Sequence, residues 1–144
     1  MTIQILLVHS NIDNRSRLAG TLQDTGDIRV VAEACSGQEA LERIKTTPPD
    51  VMLMELNPAD MDSLLASRQI RAAHPQIKLL IQSESFNKDS FNAILKSGAL
   101  GCLTPDCTTE ELTNAIHEVF HGKPHFCAES QELLLQQCLA SSRS

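Results

Sequence analysis

Tryptophan and tyrosine are absent from this 144-residue chain, and phenylalanine occurs only four times. Stacking of bases on aromatic side chains would rest on those four residues, which argues against single-stranded nucleic acid as a ligand. No apolar run approaches the roughly 18 residues needed to span a bilayer, and the start, MTIQILLVHS, lacks the basic segment of a signal peptide. We therefore expect a cytoplasmic protein without a membrane partner.

Basic residues are fewer than acidic ones: the chain has 12 Lys and Arg and 18 Asp and Glu, which gives a net charge of −6. This balance argues against broad attraction to phosphate backbones. The five cysteines are an odd number and include no Cys-x-x-Cys pair, so we expect reduced thiols packed as small apolar side chains. They are Cys35, Cys102, Cys107, Cys127 and Cys138.

Short β-rich runs alternate with amphipathic stretches up to about residue 121. The predicted strands are residues 3–8, 28–34, 51–54, 77–82 and 100–103, and the predicted helices are residues 13–24, 38–46, 62–73, 88–97 and a fifth that follows Thr108. Continuous apolar strands alternating with helices indicate an α/β fold with a doubly wound parallel sheet covered on both faces. In such sheets, ligands bind at the carboxyl ends of the strands.

Several residues mark where the predicted helices begin or end. Pro48 and Pro49 stop the second helix, Gly98 is predicted to be a left-handed C-cap, and Thr108 with Glu111 has the pattern of a capping box. We expect residues 1–126 to form one domain. Residues 127–144 should be a linker or a helix over about 130–139, followed by a disordered tail, ASSRS.

Six segments in order resemble a response-regulator receiver domain of the CheY-like class, nearest to the NarL/FixJ type. They are IQILLVHSN, VVAEACSGQEALERI, PDVMLMELNPADMDSL, IRAAHPQIKLLIQSES, SGALGCLTPD and TTEELTNAIHEVFHGKPHF. Together they cover roughly residues 3–126. The resemblance implies a five-stranded parallel sheet of order 2-1-3-4-5.

The resemblance also implies phosphoryl transfer to an aspartate beside Mg²⁺, but this chain departs from that chemistry at the metal and acceptor positions. His9 and Ser10 replace the acidic pair after the first strand, and neither is the anionic oxygen ligand that Mg²⁺ prefers. Glu55 replaces the acceptor aspartate. Its extra methylene displaces the carboxylate by roughly an ångström, enough to cost orders of magnitude in rate.

The remaining family positions are altered as well. Gln82, followed by Ser83, replaces the hydroxyl residue that ends the fourth strand, and either Thr104 or Pro105 stands where the family has lysine. The chain therefore resembles a degenerate pseudo-receiver. Its vacated phosphorylation pocket is predicted to contain His9, Ser10, Glu55, Asn57, Gln82, Ser83, Thr104 and Pro105.

Glu55 and His9 each allow two interpretations. Glu55 either mimics a phosphorylated aspartate through its longer reach, or is a polar residue tolerated after activity was lost. His9 either pairs with Glu55 as a pH-sensitive imidazolium or makes a local hydrogen bond. We interpret Asp60 as a solvated acid of the loop and Asp62 as the start of the third helix.

Two further groups of residues have both a functional and a structural interpretation. His117, His121, His125 and Cys127 are residue types that bind zinc, but a Gly-Lys-Pro turn separates them, so a solvated helix end is the preferred interpretation and no metal is expected. Cys102 lies where the family has an aromatic switch residue, and we expect it to be buried and apolar.

We expect a phosphorylation-independent interaction module in two-component signal transduction or transcription regulation, with no enzymatic activity and no cofactor. The expected partners are proteins, including a second copy of the chain, with DNA contacted only through an output domain that this chain does not contain. Two alternatives stay open: a phosphoacceptor using an unusual residue such as Asp60, and a small-molecule sensor in the vacated pocket. The resemblance places the interaction surface within residues 87–121, with the first and fifth helices as a rival. Its predicted residues are Cys102, Phe91, Ile94, Leu112 and His117.

Overall fold

A computed structural model describes residues 2–56, 61–84 and 87–142 of the chain. Within these residues, strands and helices alternate as the sequence predicts. The strands are β1 (Ile3–Val8), β2 (Ile28–Ala34), β3 (Val51–Leu56), β4 (Lys78–Ser83), β5 (Gly101–Leu103) and β6 (His125–Phe126). The helices are α1 (Ile12–Gln23), α2 (Gly37–Thr46), α3 (Met61–Ala73), α4 (Lys88–Lys96), α5 (Thr109–Phe120) and α6 (Ala128–Ser142).

The strands form one parallel sheet in the order β2-β1-β3-β4-β5-β6. The doubly wound fold and the order of the first five strands are confirmed. The predicted strand count was wrong, because β6 adds a sixth strand beside β5. Two residues are too few to show a strand periodicity, so this strand gave no signal in the sequence.

Alternate residues of each strand face opposite helical layers, as the pleat of a strand requires. On one face, Ile5, Leu7 and Leu53 pack with the apolar residues of α1 and α5. On the other face, Leu6 and Met54 pack with those of α2, α3 and α4. The sheet is therefore buried on both sides, which is why its strands are continuous apolar runs.

Side-chain caps define the helix starts. The Thr108 side chain accepts the N–H of Glu111 at 3.0 Å, as predicted for the N-cap of α5. At α4 a complete capping box joins Asn87 and Ser90, whose side chains each accept the other residue's backbone N–H. Gly98 follows α4 with φ of +87°, which confirms the predicted left-handed cap.

Residues 125–142, here called the C-terminal segment, pack against the body of the domain. The N–H groups of His125 and Cys127 donate to the carbonyls of Leu100 and Cys102, each at 3.1 Å. Leu133 and Leu134 of α6 pack against the same core cluster as α4. The helix also includes residues 140–142, which we expected to belong to a disordered tail.

The thiols occupy different environments. Cys102 and Cys127 are buried as predicted, whereas Cys35 is exposed, which corrects the expectation for that residue. Cys35 lies in the turn before α2, where its thiol donates to the Glu39 carboxylate at 2.9 Å. Among the described residues, no helix has the length and apolar character needed to cross a membrane.

Candidate functional site at the carboxyl edge of the sheet

Strand alternation brings three of the predicted pocket residues to one face of the sheet. His9 follows β1 in register with Ile5 and Leu7, so it points towards α1 and α5. Glu55 and Gln82 are directly paired across β3 and β4, on the same face. The structure therefore assembles His9, Glu55 and Gln82 where the carboxyl ends of the strands meet α1 and α5.

His9 and Glu55 contact each other directly. The Nε2 of His9 meets the carboxylate of Glu55, while its Nδ1 accepts the backbone N–H of Asn11 at 3.0 Å. His9 therefore pairs with Glu55 and also accepts a local hydrogen bond, so the structure contains the contact named in each of the two interpretations of this histidine.

Arg15 fixes the turn that carries His9. Its Nη1 donates to the His9 carbonyl at 2.8 Å, and its Nε donates to the Glu33 carboxylate at 3.1 Å. The Arg15 side chain is 12% exposed and that of Glu33 is 40% exposed, so the ion pair is only partly shielded from water. Sequence analysis missed this residue, because only the folded turn brings α1, β1 and β2 together around it.

Gln82 occupies the position of the family's hydroxyl residue and is 8% exposed. Its amide nitrogen lies 3.5 Å from the carbonyl of Thr104 and 4.0 Å from the sulfur of Cys107. The distance to the Thr104 oxygen exceeds the usual range of about 2.7–3.2 Å for an N–H···O bond, and the contact to the larger sulfur atom is also long, so these contacts hold the amide weakly. Ser83 is buried, and because it is the next residue of β4 after Gln82 it faces the opposite side of the sheet.

A cavity of about 310 Å³ opens beside these residues, between α1 and α5. We call it the α1–α5 cavity. It is lined by His9, Asn14, Arg17, Leu18, Thr21, Gln82, Pro105, Cys107, Thr109 and Leu112. Glu55 does not line it, because its carboxylate is turned onto His9.

The other predicted pocket residues fall in three places. Pro105 lines the α1–α5 cavity, whereas Thr104 takes part through its backbone carbonyl. Ser10 is exposed beside His9 and is absent from the cavity lining. Asn57 and Asp60 lie outside the described residues.

The predicted interaction surface requires correction. Cys102, Phe91 and Ile94 are completely buried and Leu112 is 4% exposed, so none of these side chains is available to a partner. Phe91 and Ile94 are three residues apart on α4 and form the face that packs on the sheet. Burial of Cys102 was expected, and this part is confirmed.

The histidines of α5 and β6 bind different acids. His117, 40% exposed, meets the Asp27 carboxylate at 2.6 Å, and the Nδ1 of His125 lies 3.0 Å from the Glu118 carboxylate. Burial raises the pKa of the Asp27 carboxyl, but the Thr25 hydroxyl and His117 outweigh it and lower that pKa below its usual value. Among the residues that the structure describes, no three His, Cys, Asp or Glu side chains converge as a metal site.

The comparison with known families agrees with this architecture. The profile described as the response regulator receiver domain matches residues 5–117. The chain belongs to this family of two-component signalling domains. The match includes the strand ends that carry His9, Glu55 and Gln82.

Curated relatives extend the comparison. The chain is 29% identical over 135 residues to the response regulator GacA of Pseudomonas viridiflava, covering 93% of this chain and 63% of the relative. It is also 29% identical over 126 residues to the response regulator protein VraR of Staphylococcus aureus, covering 88% of this chain and 60% of the relative. The chain thus spans about 60% of the length of these relatives.

Solved structures share the fold. A two-component response regulator of the LuxR family from Aurantimonas sp. SI85-9A1 matches with a TM-score of 0.86 and 23% identity, over 96% of this chain and 99% of that chain. The isolated receiver domain of RcsB from Salmonella enterica serovar Typhimurium, in the presence of phosphomimetic BeF3−, matches with a TM-score of 0.79 and 15% identity, over 92% and 99%. At these identities the likeness shows the fold alone.

Proposed function

We propose that this receiver domain works without phosphorylation, as a protein-interaction module in cytoplasmic two-component signalling that regulates transcription. Its partners are proteins, a second copy of the chain among them, and DNA is contacted through an output domain outside this chain. The domain catalyses no reaction and needs no cofactor. The relatives named above are response regulators of which this chain covers only about 60%, which supports a role beside a further, output domain.

The observation that carries the proposal is the engagement of Glu55 by His9. Phosphoryl transfer needs an available carboxylate together with cations that neutralise charge on the transferred oxygens. Here the Glu55 carboxylate contacts the His9 imidazole, and among the described residues Arg17 is the only Arg or Lys that lines the neighbouring cavity. Within that part of the chain, a phosphoryl group entering this site would meet neither the family's acidic pair, which His9 and Ser10 replace, nor its lysine.

The C-terminal segment bears on which surface a partner uses. It pairs with the edge of β5 and packs on α4, so this side of the domain is covered by the chain itself. On the outside of α6, Leu135 and Leu139 are 59% and 51% exposed and lie one helical turn apart. We therefore place protein contacts on the outer faces of α5 and α6 and not on the buried residues of α4.

Intact-mass spectrometry after incubation with acetyl phosphate and Mg²⁺ tests the proposal. A working receiver serves as the positive control, and a restored variant carrying His9→Asp, Ser10→Asp, Glu55→Asp and Pro105→Lys serves as the matched control. We expect no phosphoryl mass on the natural chain and labelling of the positive control. A phosphoryl group on the natural chain, mapped to any aspartate or to Glu55 by peptide sequencing, would overturn the proposal.

The mimic interpretation of Glu55 has its own test. If the charge of Glu55 holds an active-like state, Glu55→Gln should change the self-association constant measured by analytical ultracentrifugation. Glu42→Gln, which removes an exposed acid of α2 outside this pocket, is the control. Equal association of Glu55→Gln and the natural chain would exclude a role for that charge in self-association.

A further inference from the structure

The exposed large apolar side chains are concentrated on one side of the domain. Within residues 2–56, 61–84 and 87–142, four such side chains are more than half exposed, and three of them lie on α3 and α6: Leu65, Leu135 and Leu139, with Ile12 of α1 as the fourth. Helices α3, α4 and α6 belong to one helical layer, because each contributes apolar residues to the same core cluster. The strand order β3-β4-β5-β6 places α4 between the other two helices, against which it packs. The exposed leucines therefore flank α4 on its two sides.

A groove of about 340 Å³ opens between α3 and α4, and we call it the α3–α4 groove. Its apolar lining comes from Leu64, Leu65 and Ala93. Its charged lining residues are two cations and one acid: Arg68, Lys96 and Asp89. The groove thus has a net positive charge in a chain whose net charge is −6. In the part of the chain that the structure describes, neither of the two cations makes an ion pair.

The outer face of α6 complements this groove. Glu132, Leu135 and Leu139 are exposed and follow one another at spacings of three and four residues, so they form one stripe along the helix. The helix contains two acids and no Lys or Arg. Amphipathic helices that dock in apolar grooves use anchors at this spacing. The stripe therefore offers two apolar anchors and an acid to a groove with apolar walls and an excess of cations.

The α6 helix of the same chain cannot fill this groove. Leu133 and Leu134 hold it on the core at the far side of α4, so its outer stripe faces away from the domain. A second copy of the chain is not restricted in this way. A two-fold axis along the outer side of α4 exchanges the two sides of this helix, so the α6 of each copy reaches the groove of the other. Such an interface is isologous and closed, because the same two surfaces are used twice.

We propose that the α3–α4 groove binds the α6 helix of a second copy of this chain, in a symmetric dimer. Leu135 and Leu139 of one copy pack against Leu65 of the other, and Glu132 pairs with the cations Arg68 and Lys96. This inference rests on the proposed role as an interaction module, and it names the partner and the surface that this role uses.

Sedimentation equilibrium of the natural chain, from about 1 μM to about 1 mM, covers dissociation constants from micromolar to millimolar. We expect a monomer–dimer equilibrium without larger species, since the interface is closed. Leu135→Gln and Leu65→Gln change exposed side chains on the two sides of the interface. Each should weaken association at least about tenfold, because every dimer loses two buried leucines. Ile12→Gln changes the exposed leading residue of α1, outside both surfaces, and as the matched control should leave the dissociation constant unchanged.

Charge reversal tests the pairing between α6 and the groove. Arg68→Glu and Glu132→Lys should each weaken association about tenfold, because two ion pairs per dimer, each worth a few-fold in affinity, become repulsive. Glu132→Lys also lowers the net negative charge, so general repulsion between copies cannot explain its effect. The variant with both changes should associate more tightly than either single variant. Arg29→Glu, at an exposed position of β2, alters the net charge as Arg68→Glu does and should have no effect.

The far-UV circular dichroism of each variant reports whether it is folded. A natural chain that stays monomeric over the whole range, open assemblies larger than a dimer, or undiminished association of the two leucine variants would each overturn the proposal. Dissociation by Ile12→Gln, or a double charge variant no tighter than the single ones, would do so as well. Phosphoryl mass in the labelling assay would instead overturn the proposed function, so the two failures are distinguishable.

Discussion

Replacing Gly101 with alanine should detach the C-terminal segment from the sheet. Gly101 pairs with His125 across β5 and β6, and a Cβ atom at this position would lie 2.1 Å from the His125 carbonyl oxygen. No ordinary Cβ contact is that short, and the obstructing atom is backbone, which cannot rotate away. The strand β6 must therefore move for alanine to fit.

The expected loss in the free energy of unfolding follows from the contacts that this movement of β6 breaks. The two β5–β6 hydrogen bonds donated by His125 and Cys127 contribute about 1 kcal/mol each. The edge-to-face contact of Phe91 and Phe126, with ring centroids 6.0 Å apart, adds about 1 kcal/mol. We expect Gly101→Ala to lower the free energy of unfolding by about 3 kcal/mol, or the melting temperature by roughly 10 °C for a domain of this size.

Urea unfolding and hydrogen exchange measure the two parts of this prediction. The unfolding midpoint should fall, and exchange should accelerate in residues 125–142 while β1 and β3 stay protected. Gly20→Ala is the matched control, because a Cβ at Gly20 in α1 meets no atom within 4 Å and should stabilise the helix by about 0.5–1 kcal/mol. If Gly101→Ala retained the natural midpoint and the natural protection of the C-terminal segment, the close packing of β6 on β5 would be refuted.

Three further changes test the caps and ion pairs. Asn87→Ala removes the N-cap of α4 and should cost about 1 kcal/mol in urea unfolding, and an unchanged midpoint would contradict the role of the cap. Arg15→Gln removes a partly shielded cation from Glu33 and should cost about 1–2 kcal/mol, with a shift of the backbone resonances of the turn before α1. Because the pKa of Asp27 is lowered in the folded protein, its stabilising pair with His117 is present above the usual value of 3.8 and is lost as the pH falls through the lowered pKa. The melting temperatures of the natural chain and Asp27→Asn should therefore differ at pH 5 and converge in stronger acid, and a constant difference would contradict this assignment.

The fold could be predicted because its signals are local and repeated. The apolar runs of β1, β3 and β4 are continuous, since both faces of these strands are buried. The N-cap at Thr108 and the left-handed Gly98 are short-range patterns that the structure reproduces. Because the carboxyl ends of parallel strands share one edge of a sheet, the sequence also predicted that His9, Glu55 and Gln82 lie at that edge.

What the sequence left open depends on contacts between distant residues. The strand β6 is only two residues long. It can approach β5 closely because Gly101, which pairs with His125, has no Cβ atom. Gly101 lies 24 positions before His125 and resembles an ordinary turn glycine in the sequence. Phe91 and Ile94 illustrate a different error. Their spacing of three on α4 indicates a buried face, but the family resemblance led us to expect them on a surface.

The pairing of His9 with Glu55 changes what the loss of phosphorylation residues means for the molecule. In an ordinary receiver the carboxylates at this edge need a metal ion to offset their mutual repulsion. Here the Glu55 carboxylate contacts the His9 imidazole, which is oriented by the N–H of Asn11, so this carboxylate has its partner within the protein.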